Sequence, residues 1–226
     1  MRLTIAICVL LVAGAAHAQT PGQAADRTAG RAEIHFAVEN PKLEPVSYSL
    51  DVFKDGTGRY TARYTTSADG VTPFPPVDRP IHIHDPLLSR MFDVARTHQF
   101  FAIECEAPHN HVAFTGKKTL AYTGPDGKGS CTFNYSHDSV LNQLAMDLMS
   151  VAFTLEEGTL LASEHLHDRL SLDAELEALQ NAAQEQRALE LGNIAPELES
   201  IANDDAVMNR ARMRARELLV EPASVH

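Results

Sequence analysis

SVLNQLAMDLMSVAFTLEEGTLLASEHLHDRL, residues 139–170, decides the fold class, because the sequence changes there from alternating patterns to helical periodicity. Its apolar residues recur at spacings of three, four or seven positions: Leu141, Leu144, Leu148, Val151, Leu155, Ala162, Leu166 and Leu170. This spacing predicts one long helix that continues past Gly158, where the missing side chain lets another element approach closely. A break into two helices at Gly158 is the alternative, since a glycine inside a helix costs only about 1 kcal/mol relative to alanine.

The sequence after this stretch keeps its helical periodicity. A further helix is predicted over 172–190, with Gly192 as its C-terminal stop. Pro196 begins a short helix, and Asp204 or Asp205 caps the last one. We therefore expect the helical region to consist of antiparallel helix pairs.

Strand-like alternation dominates the sequence before the long helix. Three stretches alternate apolar and polar residues, at 33–38, 46–53 and 59–64, and the turn sequence DGTG joins the last two into a hairpin. A second hairpin is predicted around GPDGKG, residues 124–129, where it joins KTLAYT to SCTFNYS.

One helix is predicted among these strands. The proline-rich stretch 67–80 is predicted to be a loop, and Asp85 followed by Pro86 then begins a helix that ends near His98. The sequence thus predicts an α+β fold. In it, residues 31–136 form a small antiparallel sheet with a packed helix, and residues 137–221 form a helical C-terminal half.

The N-terminal residues predict an exported protein. Residues 1–18, MRLTIAICVLLVAGAAHA, combine a basic residue, an apolar run and the small residues Ala16 and Ala18, as is typical of a secretory signal peptide cut after Ala18. Residues 19–30 are small and polar, which predicts a flexible leader. The apolar run is too short to anchor the chain in a bilayer. We therefore expect a soluble secreted or periplasmic protein with no membrane insertion after cleavage.

The charge of the chain limits its partners. The formal net charge is −11 and becomes about −12 when Arg2 is removed with the signal peptide. Such a chain has no overall attraction to phosphate groups, so nucleic acid and anionic membranes are not expected partners.

Two cysteines, Cys105 and Cys131, remain after signal cleavage, because Cys8 lies in the signal peptide. In an oxidising compartment an even pair favours a disulfide over a reactive thiol. Phe101 and Ile103 share the parity of Cys105, so an extended segment would direct this cysteine to the apolar side of its strand. A thiolate metal ligand is the alternative.

Histidine placement offers candidates for a metal site, although surface and helix-capping roles are the favoured interpretation. Three H-x-H pairs occur: His82 with His84, His109 with His111, and His165 with His167. In an extended segment residues i and i+2 share a face, so the first two pairs are candidate ligands for zinc or copper. The third pair falls on the long helix, where such residues diverge by about 200°. It is expected to face solvent or a neighbouring helix.

Motifs for catalysis or cofactor binding are missing from the sequence. It contains no G-x-S-x-G, S-x-x-K, H-E-x-x-H, G-x-G-x-x-G or Walker pattern. The arginine-rich run RARMRAR, residues 210–216, is expected to pair with acids of the preceding helices, and a patch for a partner is the alternative. No cofactor other than zinc or copper is suggested.

Three stretches, TLAYTGPDGKGSCTFNYS, LSLDAELEAL and LELGNIAPELESIA, resemble a group of secreted bacterial proteins of unassigned function, over residues 100–220. The resemblance implies export and the same domain plan, and it carries no catalytic residues. The favoured hypothesis is a binding or interaction module of the cell envelope. Its partner is unknown, with an envelope protein as the candidate, and no catalytic motif indicates an enzyme, although scattered Ser, His and Asp residues leave that question open. The alternative is a metal-binding protein or metal-dependent hydrolase that uses the H-x-H pairs.

Overall fold

One antiparallel sheet of six strands forms the first half of the fold. A computed structural model describes residues 30–65, 74–107 and 113–220, and places the strands in the order β4-β3-β2-β1-β5-β6. Their bounds are β1 Glu33–Glu39, β2 Ser47–Phe53, β3 Thr57–Arg63, β4 Val77–His82, β5 Lys117–Gly124 and β6 Gly127–Phe133. Both predicted hairpins are confirmed, because β2 pairs with β3 and β5 pairs with β6.

The fourth strand corrects the sequence prediction. The stretch 67–80 is predicted to be a loop, and this is wrong for residues 77–80, which belong to β4 and pair with β3. Pro80 has no backbone N–H, but β4 is an edge strand and does not need a donor on both sides. Residues 67–73 lie outside the described residues, so the loop prediction stays a prediction there.

Five α-helices and two short 3₁₀ turns complete the described fold. The helices are α1 Leu87–Thr97, α2 Ser139–His167, α3 Leu172–Gln184, α4 Ala195–Asn203 and α5 Asn209–Val220, and the 3₁₀ turns are Gln99–Phe101 and Leu191–Ile194. Strands thus precede a helical C-terminal half, and the predicted α+β fold class is confirmed.

Helix α2 is continuous across Gly158, so the prediction of one long helix is confirmed. A Cβ atom at this position would lie 2.4 Å from Cγ2 of Ile194, so the glycine is what lets the second 3₁₀ turn approach the helix. The N-terminus is capped by Asp138, whose side chain accepts a hydrogen bond from the N–H of Val140 at 2.8 Å. The apolar stripe ends before Leu166, which is 75% exposed.

Two predicted helix boundaries in the C-terminal half are wrong. The helix over 172–190 ends at Gln184 instead of Gly192, because Gln186 adopts a left-handed conformation with φ 58° shortly after its end. Asp205 does not cap the last helix, which begins at Asn209, and neither does Asp204. The side chain of Asp204 accepts the N–H of Ala206 at 2.9 Å in the connection between α4 and α5.

The helices cover one face of the sheet. Alternate strand residues on that face are buried, including Ile34, Phe36, Val38, Leu50, Tyr60, Leu120 and Phe133. α1 contacts this face through Phe92 and Tyr122, and α2 through Glu156 and Tyr60. α4 contacts it through Glu197 and Arg79, and α3 and α5 pack on the other helices. The core therefore lies between the sheet and the helices.

Candidate functional site: the open face of the sheet

The opposite face of the sheet, here called the open face, carries mostly small and polar side chains that are half-buried or exposed, together with the aromatic Phe53. Its members come from alternate positions of all six strands: Glu33, His35, Ala37, Glu39, Ser47, Ser49, Asp51, Phe53, Thr57, Arg59, Thr61, Arg63, Asp78, Pro80, His82, Lys117, Thr119, Ala121, Thr123, Lys128, Ser130 and Thr132. Strand geometry causes this segregation, since neighbouring side chains along a strand point to opposite faces.

A histidine and a carboxylate occupy the centre of the open face. His35 on β1 lies opposite Asp51 on β2, and its Nδ1 donates a hydrogen bond to Oδ1 of Asp51 at 2.6 Å. This hydrogen bond raises the pKa of His35; burial opposes the rise, and the charges of Asp51 and Glu33 add to it. Burial, followed by the charge of Asp51, raises the pKa of Glu33. The centre thus combines a histidine and a glutamate whose pKa values are both raised by their surroundings in the sheet.

Hydroxyl groups flank this centre on both sides. Ser49 and Thr61 share a hydrogen bond of 2.9 Å between their hydroxyl oxygens, and Thr119 and Thr132 share one of 3.2 Å. Ala37 lies between these two pairs in the sheet register. All of these side chains are short, so the surface is recessed. It forms a shallow depression of about 430 Å³ beside Ser49 and Thr61.

Charged side chains of the open face are mostly paired with one another. Arg59 donates to Asp78 at 2.6 Å, and this hydrogen bond lowers the pKa of the Asp78 carboxyl. Lys117 lies 3.7 Å from Glu39 across the β5 and β1 strands. The face therefore offers hydrogen-bonding groups without a patch of one charge sign.

A second polar cluster lies between the sheet and α2, on the helix-covered face. Glu156 of α2 accepts hydrogen bonds from the hydroxyl groups of Tyr60 and Tyr64 on and after β3. Burial raises the pKa of Glu156, and the two phenol hydrogen bonds partly offset the rise. Burial also raises the pKa of both tyrosines. Since both phenols donate to one carboxylate, this cluster joins the two halves and is satisfied within the fold.

The edge of the sheet is joined to the helical half by an ion pair. Arg79 of β4 lies 2.9 Å from the carboxylate of Glu197 on α4, and the two side chains are only 21% and 17% exposed. The same guanidinium donates to the carbonyl oxygen of Asn193 at 2.6 Å. Loss of either partner would leave a largely buried charge without compensation.

The structure places Cys105 and Cys131 at disulfide distance, with their sulfur atoms 1.96 Å apart and their Cα atoms 5.7 Å apart. Cys131 lies on the buried side of β6, as its parity indicates. Cys105 is not on a strand: it follows the first 3₁₀ turn in an irregular segment, where its side chain is nevertheless buried. That segment runs along β6, where a Cβ atom on Gly129 would lie 2.6 Å from the backbone of Phe100.

The histidine pairs have different surroundings. His82 and His84 have adjacent rings, with centroids 4.5 Å apart. His109 and His111 lie outside the described residues. His165 bonds to Asp204 at 2.8 Å and thus ties α2 to the connection between α4 and α5. Among the residues that the structure describes, no three His, Cys, Asp or Glu side chains are arranged to hold one metal ion.

The arginines of α5 pair within the chain, as predicted. Asp173 of α3 binds both Arg210 and Arg214, and these contacts lower the pKa of its carboxyl. Arg212 lies 2.9 Å from Asp205. The arginine-rich run therefore fastens α5 to neighbouring parts of the helical half.

Sequence reasoning missed the central pair of the open face. His35 and Asp51 are unremarkable in their own strands, and only the register of β1 against β2 brings them together. Pairing β1 with β2 so that Ile34, Phe36 and Val38 face the buried side would have indicated the contact between His35 and Asp51.

Comparison with known proteins adds no assignment: no protein-family model matches the chain, and no curated protein sequence matches it. Within the described residues no helix is both long and apolar enough to cross a membrane. The predicted signal peptide and most of the predicted leader, residues 1–29, lie outside the described residues.

Proposed function

We propose that this chain is a binding module of the bacterial cell envelope that holds a partner protein on the open face of its sheet. One observation carries the proposal: the helices pack against one face of a six-stranded sheet, while the other face keeps its small and polar side chains accessible. An antiparallel sheet tolerates water on one face, so the exposure by itself is ordinary. The size and composition of the face favour a role in binding a partner protein.

The dimensions of the open face suit a macromolecule better than a small ligand. Five spacings of about 4.8 Å and strands of seven residues at about 3.3 Å per residue give roughly 24 by 23 Å. That projected area of roughly 550 Å² is about two-thirds of the 800 Å² or so that one partner contributes to a standard protein interface. The depression beside Ser49 is shallow, whereas small-molecule sites enclose most of their ligand.

The chemistry of the face indicates what kind of partner surface it would accept. Pairs such as Arg59 with Asp78 neutralise each other, so a strongly charged partner gains little. Hydroxyl groups and the His35 ring can donate or accept hydrogen bonds to backbone or amide groups. We therefore expect an uncharged, polar protein surface that hydrogen-bonds across the strands.

The cysteine pair supports the proposed compartment. Disulfides persist in secreted and periplasmic proteins and are rare in the reducing cytosol. Cleavage after Ala18 remains a proposal, and the N-terminal sequence of the protein purified from a bacterial periplasm tests it directly. A mature chain that begins at Gln19 is expected, and an intact Met1 would contradict export by this route.

Site-specific photo-cross-linking in the native bacterial cell tests the binding surface. A photoreactive phenylalanine analogue replaces Thr61 or Thr132 on the open face. As matched controls, the same analogue replaces Gln184 or Asn203, which are exposed positions on helices. We expect one protein adduct from both open-face positions and none from the controls. The adduct partner is then identified by mass spectrometry, purified, and tested for direct binding.

Two outcomes would contradict the proposal. Adducts that form equally well from the helix positions would place the contact elsewhere or show it to be non-specific. A cross-linked glycan instead of a protein would show that the face binds a different class of partner.

A further inference from the structure

The segment that carries His82 and His84 keeps strand-like alternation beyond the end of β4. Ile81 and Ile83 are buried, while His82 and His84 are exposed on the side of the open face. Their rings therefore share one face, with centroids 4.5 Å apart and ring planes inclined at 68°. The rings are thus close neighbours, and one ion bound by both would need each ring to turn a nitrogen toward it at about 2.0 Å.

A buried carboxylate fixes the orientation of one of these rings. Glu190 is 7% exposed at its side chain, and its Oε2 accepts a hydrogen bond from Nδ1 of His84 at 2.7 Å. Its other oxygen accepts the backbone N–H of His84 at 2.9 Å. A carboxylate can only accept, so Nδ1 carries the proton and Nε2 of the neutral ring keeps its lone pair. This is the arrangement in which a carboxylate orients a metal-binding histidine.

The other histidine is held through its backbone. Asn193 accepts the N–H of His82 at 2.7 Å and donates to the carbonyl of His82 at 2.9 Å. Gly56 lies beneath the ring, where a Cβ atom would be 3.0 Å from Cε1 of His82. Contacts from two separate parts of the chain thus fix the ring of His84 and the backbone of His82 before any ligand binds, which lowers the ordering cost of binding.

We propose that His82 and His84 form a surface site for a divalent transition-metal ion, with Glu190 as the residue that positions His84. Imidazole suits both Cu²⁺ and Zn²⁺, and Cu²⁺ binds a given nitrogen site more tightly. Water completes the coordination, since the described part of the chain offers no third ligand in a suitable arrangement. The site lies at the β4 edge of the open face, and its argument does not depend on the partner protein proposed for that face.

Metal titration of the purified mature protein, free of any histidine tag and stripped with a chelator, tests the site. Calorimetry with CuCl₂ and then ZnCl₂ is expected to show one Cu²⁺ site and weaker Zn²⁺ binding. His82→Ala and His84→Ala should each weaken Cu²⁺ binding by about tenfold or more, and Glu190→Gln by about tenfold. His167→Ala, an exposed histidine at the end of α2, is the matched control and should change nothing.

Electron paramagnetic resonance distinguishes a residue that binds the copper ion from one that only positions a ligand. Hyperfine coupling to two nitrogens is expected for the wild-type copper complex and for Glu190→Gln, and coupling to one for His84→Ala. Thermal unfolding of each apo variant shows whether it remains folded.

Copper affinity that is unchanged in His82→Ala and His84→Ala would overturn the proposal. So would binding that is lost in a His109→Ala and His111→Ala double variant while the His82 and His84 variants bind normally.

Discussion

The two halves of the molecule differ sharply in charge. Residues 31–136 contain 12 acidic and 11 basic side chains, whereas residues 137–221 contain 17 acidic and 6 basic ones. The net charge of the chain thus arises almost entirely in the helical half. The sheet half presents a balanced surface, which suits recognition by hydrogen bonds, and the helical half concentrates like charges that repel one another.

This difference extends to how each half is held together. The sheet half uses strand pairing and the Cys105–Cys131 pair. The helical half uses arginine contacts such as those of Arg210 and Arg214 with Asp173. The polar connections between the halves include the Arg79–Glu197 ion pair, the tyrosine hydrogen bonds to Glu156 and the contact of His84 with Glu190. Substitutions in each region should therefore have distinct effects.

The largest effect is expected in the sheet half, from removal of the cysteine pair. The double variant Cys105→Ser, Cys131→Ser opens a loop spanning 26 residues, and the chain-entropy relation gives a loss of about 3.5 kcal/mol in the free energy of unfolding. Urea denaturation of the variant and of reduced wild-type protein should show the same loss. Two thiols that can be alkylated in the native protein would contradict a bond between these cysteines.

Breaking the connection between the halves should cost somewhat less. Arg79→Met leaves the carboxylate of Glu197 largely buried without its partner, and we expect a loss of about 2 to 3 kcal/mol, below the figure for fully buried pairs because both groups keep some exposure. The double variant Arg79→Met, Glu197→Gln is the control. Because it removes both charges, it should recover part of the lost stability. If the double variant lost more free energy of unfolding in urea denaturation than Arg79→Met, the two groups would not be coupled.

The crowded acids of the helical half should make stability fall as pH rises. Burial and the charges of Glu175, Glu164 and Glu156 raise the pKa of Glu157 to about 7. Between about pH 4.5 and 7 the folded state therefore binds more protons than the unfolded state, so the free energy of unfolding decreases with pH. The raised pKa of His35 also makes the free energy of unfolding decrease with pH. The stabilisation that protonated His35 provides is lost as the pH rises above its pKa in the folded state.

Glu157→Gln tests this contribution. Partial exposure screens the effect, so we expect the variant to be about 1 to 2 kcal/mol more stable than wild type at pH 8 and nearly equal to it at pH 5. Glu199→Gln, an exposed position on α4, is the matched control and should change stability little at either pH. Equal effects of Glu157→Gln at pH 5 and pH 8, measured by denaturation, would refute the assignment.

The smallest effect on stability is expected on the open face. Ser49→Arg and Thr132→Arg add side chains that can extend into solvent, so each should alter the free energy of unfolding by no more than about 0.5 kcal/mol. A loss above 2 kcal/mol in either variant would indicate that the face is packed in the folded protein and is not free for a partner.

The parts of the fold that sequence predicts are those that short-range patterns determine. Both hairpins follow from alternation and turn residues close in the chain, and the continuity of α2 follows from its apolar register. β4 escaped prediction because Pro80 and the neighbouring prolines obscure its alternation, and its pairing with β3 is a tertiary contact.

Other features depend on contacts that no local pattern encodes. Gln99, Phe100 and Phe101 all have positive φ, which is unfavourable for such residues in isolation. Stacking of Phe100 on Tyr122, with ring centroids 4.8 Å apart, accompanies this conformation. Likewise, the sequence indicates that His84 belongs to a pair, but the contact with Glu190 joins residues separated by 106 positions.

The central claim is that the open face, and not the charged helical half, binds the partner. Its most direct test is the affinity of the identified partner for three proteins: wild type, the Ser49→Arg, Thr132→Arg variant, and a Gln184→Arg, Asn203→Arg variant with the same added charge. We expect the open-face variant to bind about 30-fold more weakly or worse, corresponding to about 2 kcal/mol, and the helix variant to match wild type. Unchanged binding by a folded open-face variant, or a loss confined to the helix variant, would contradict the claim.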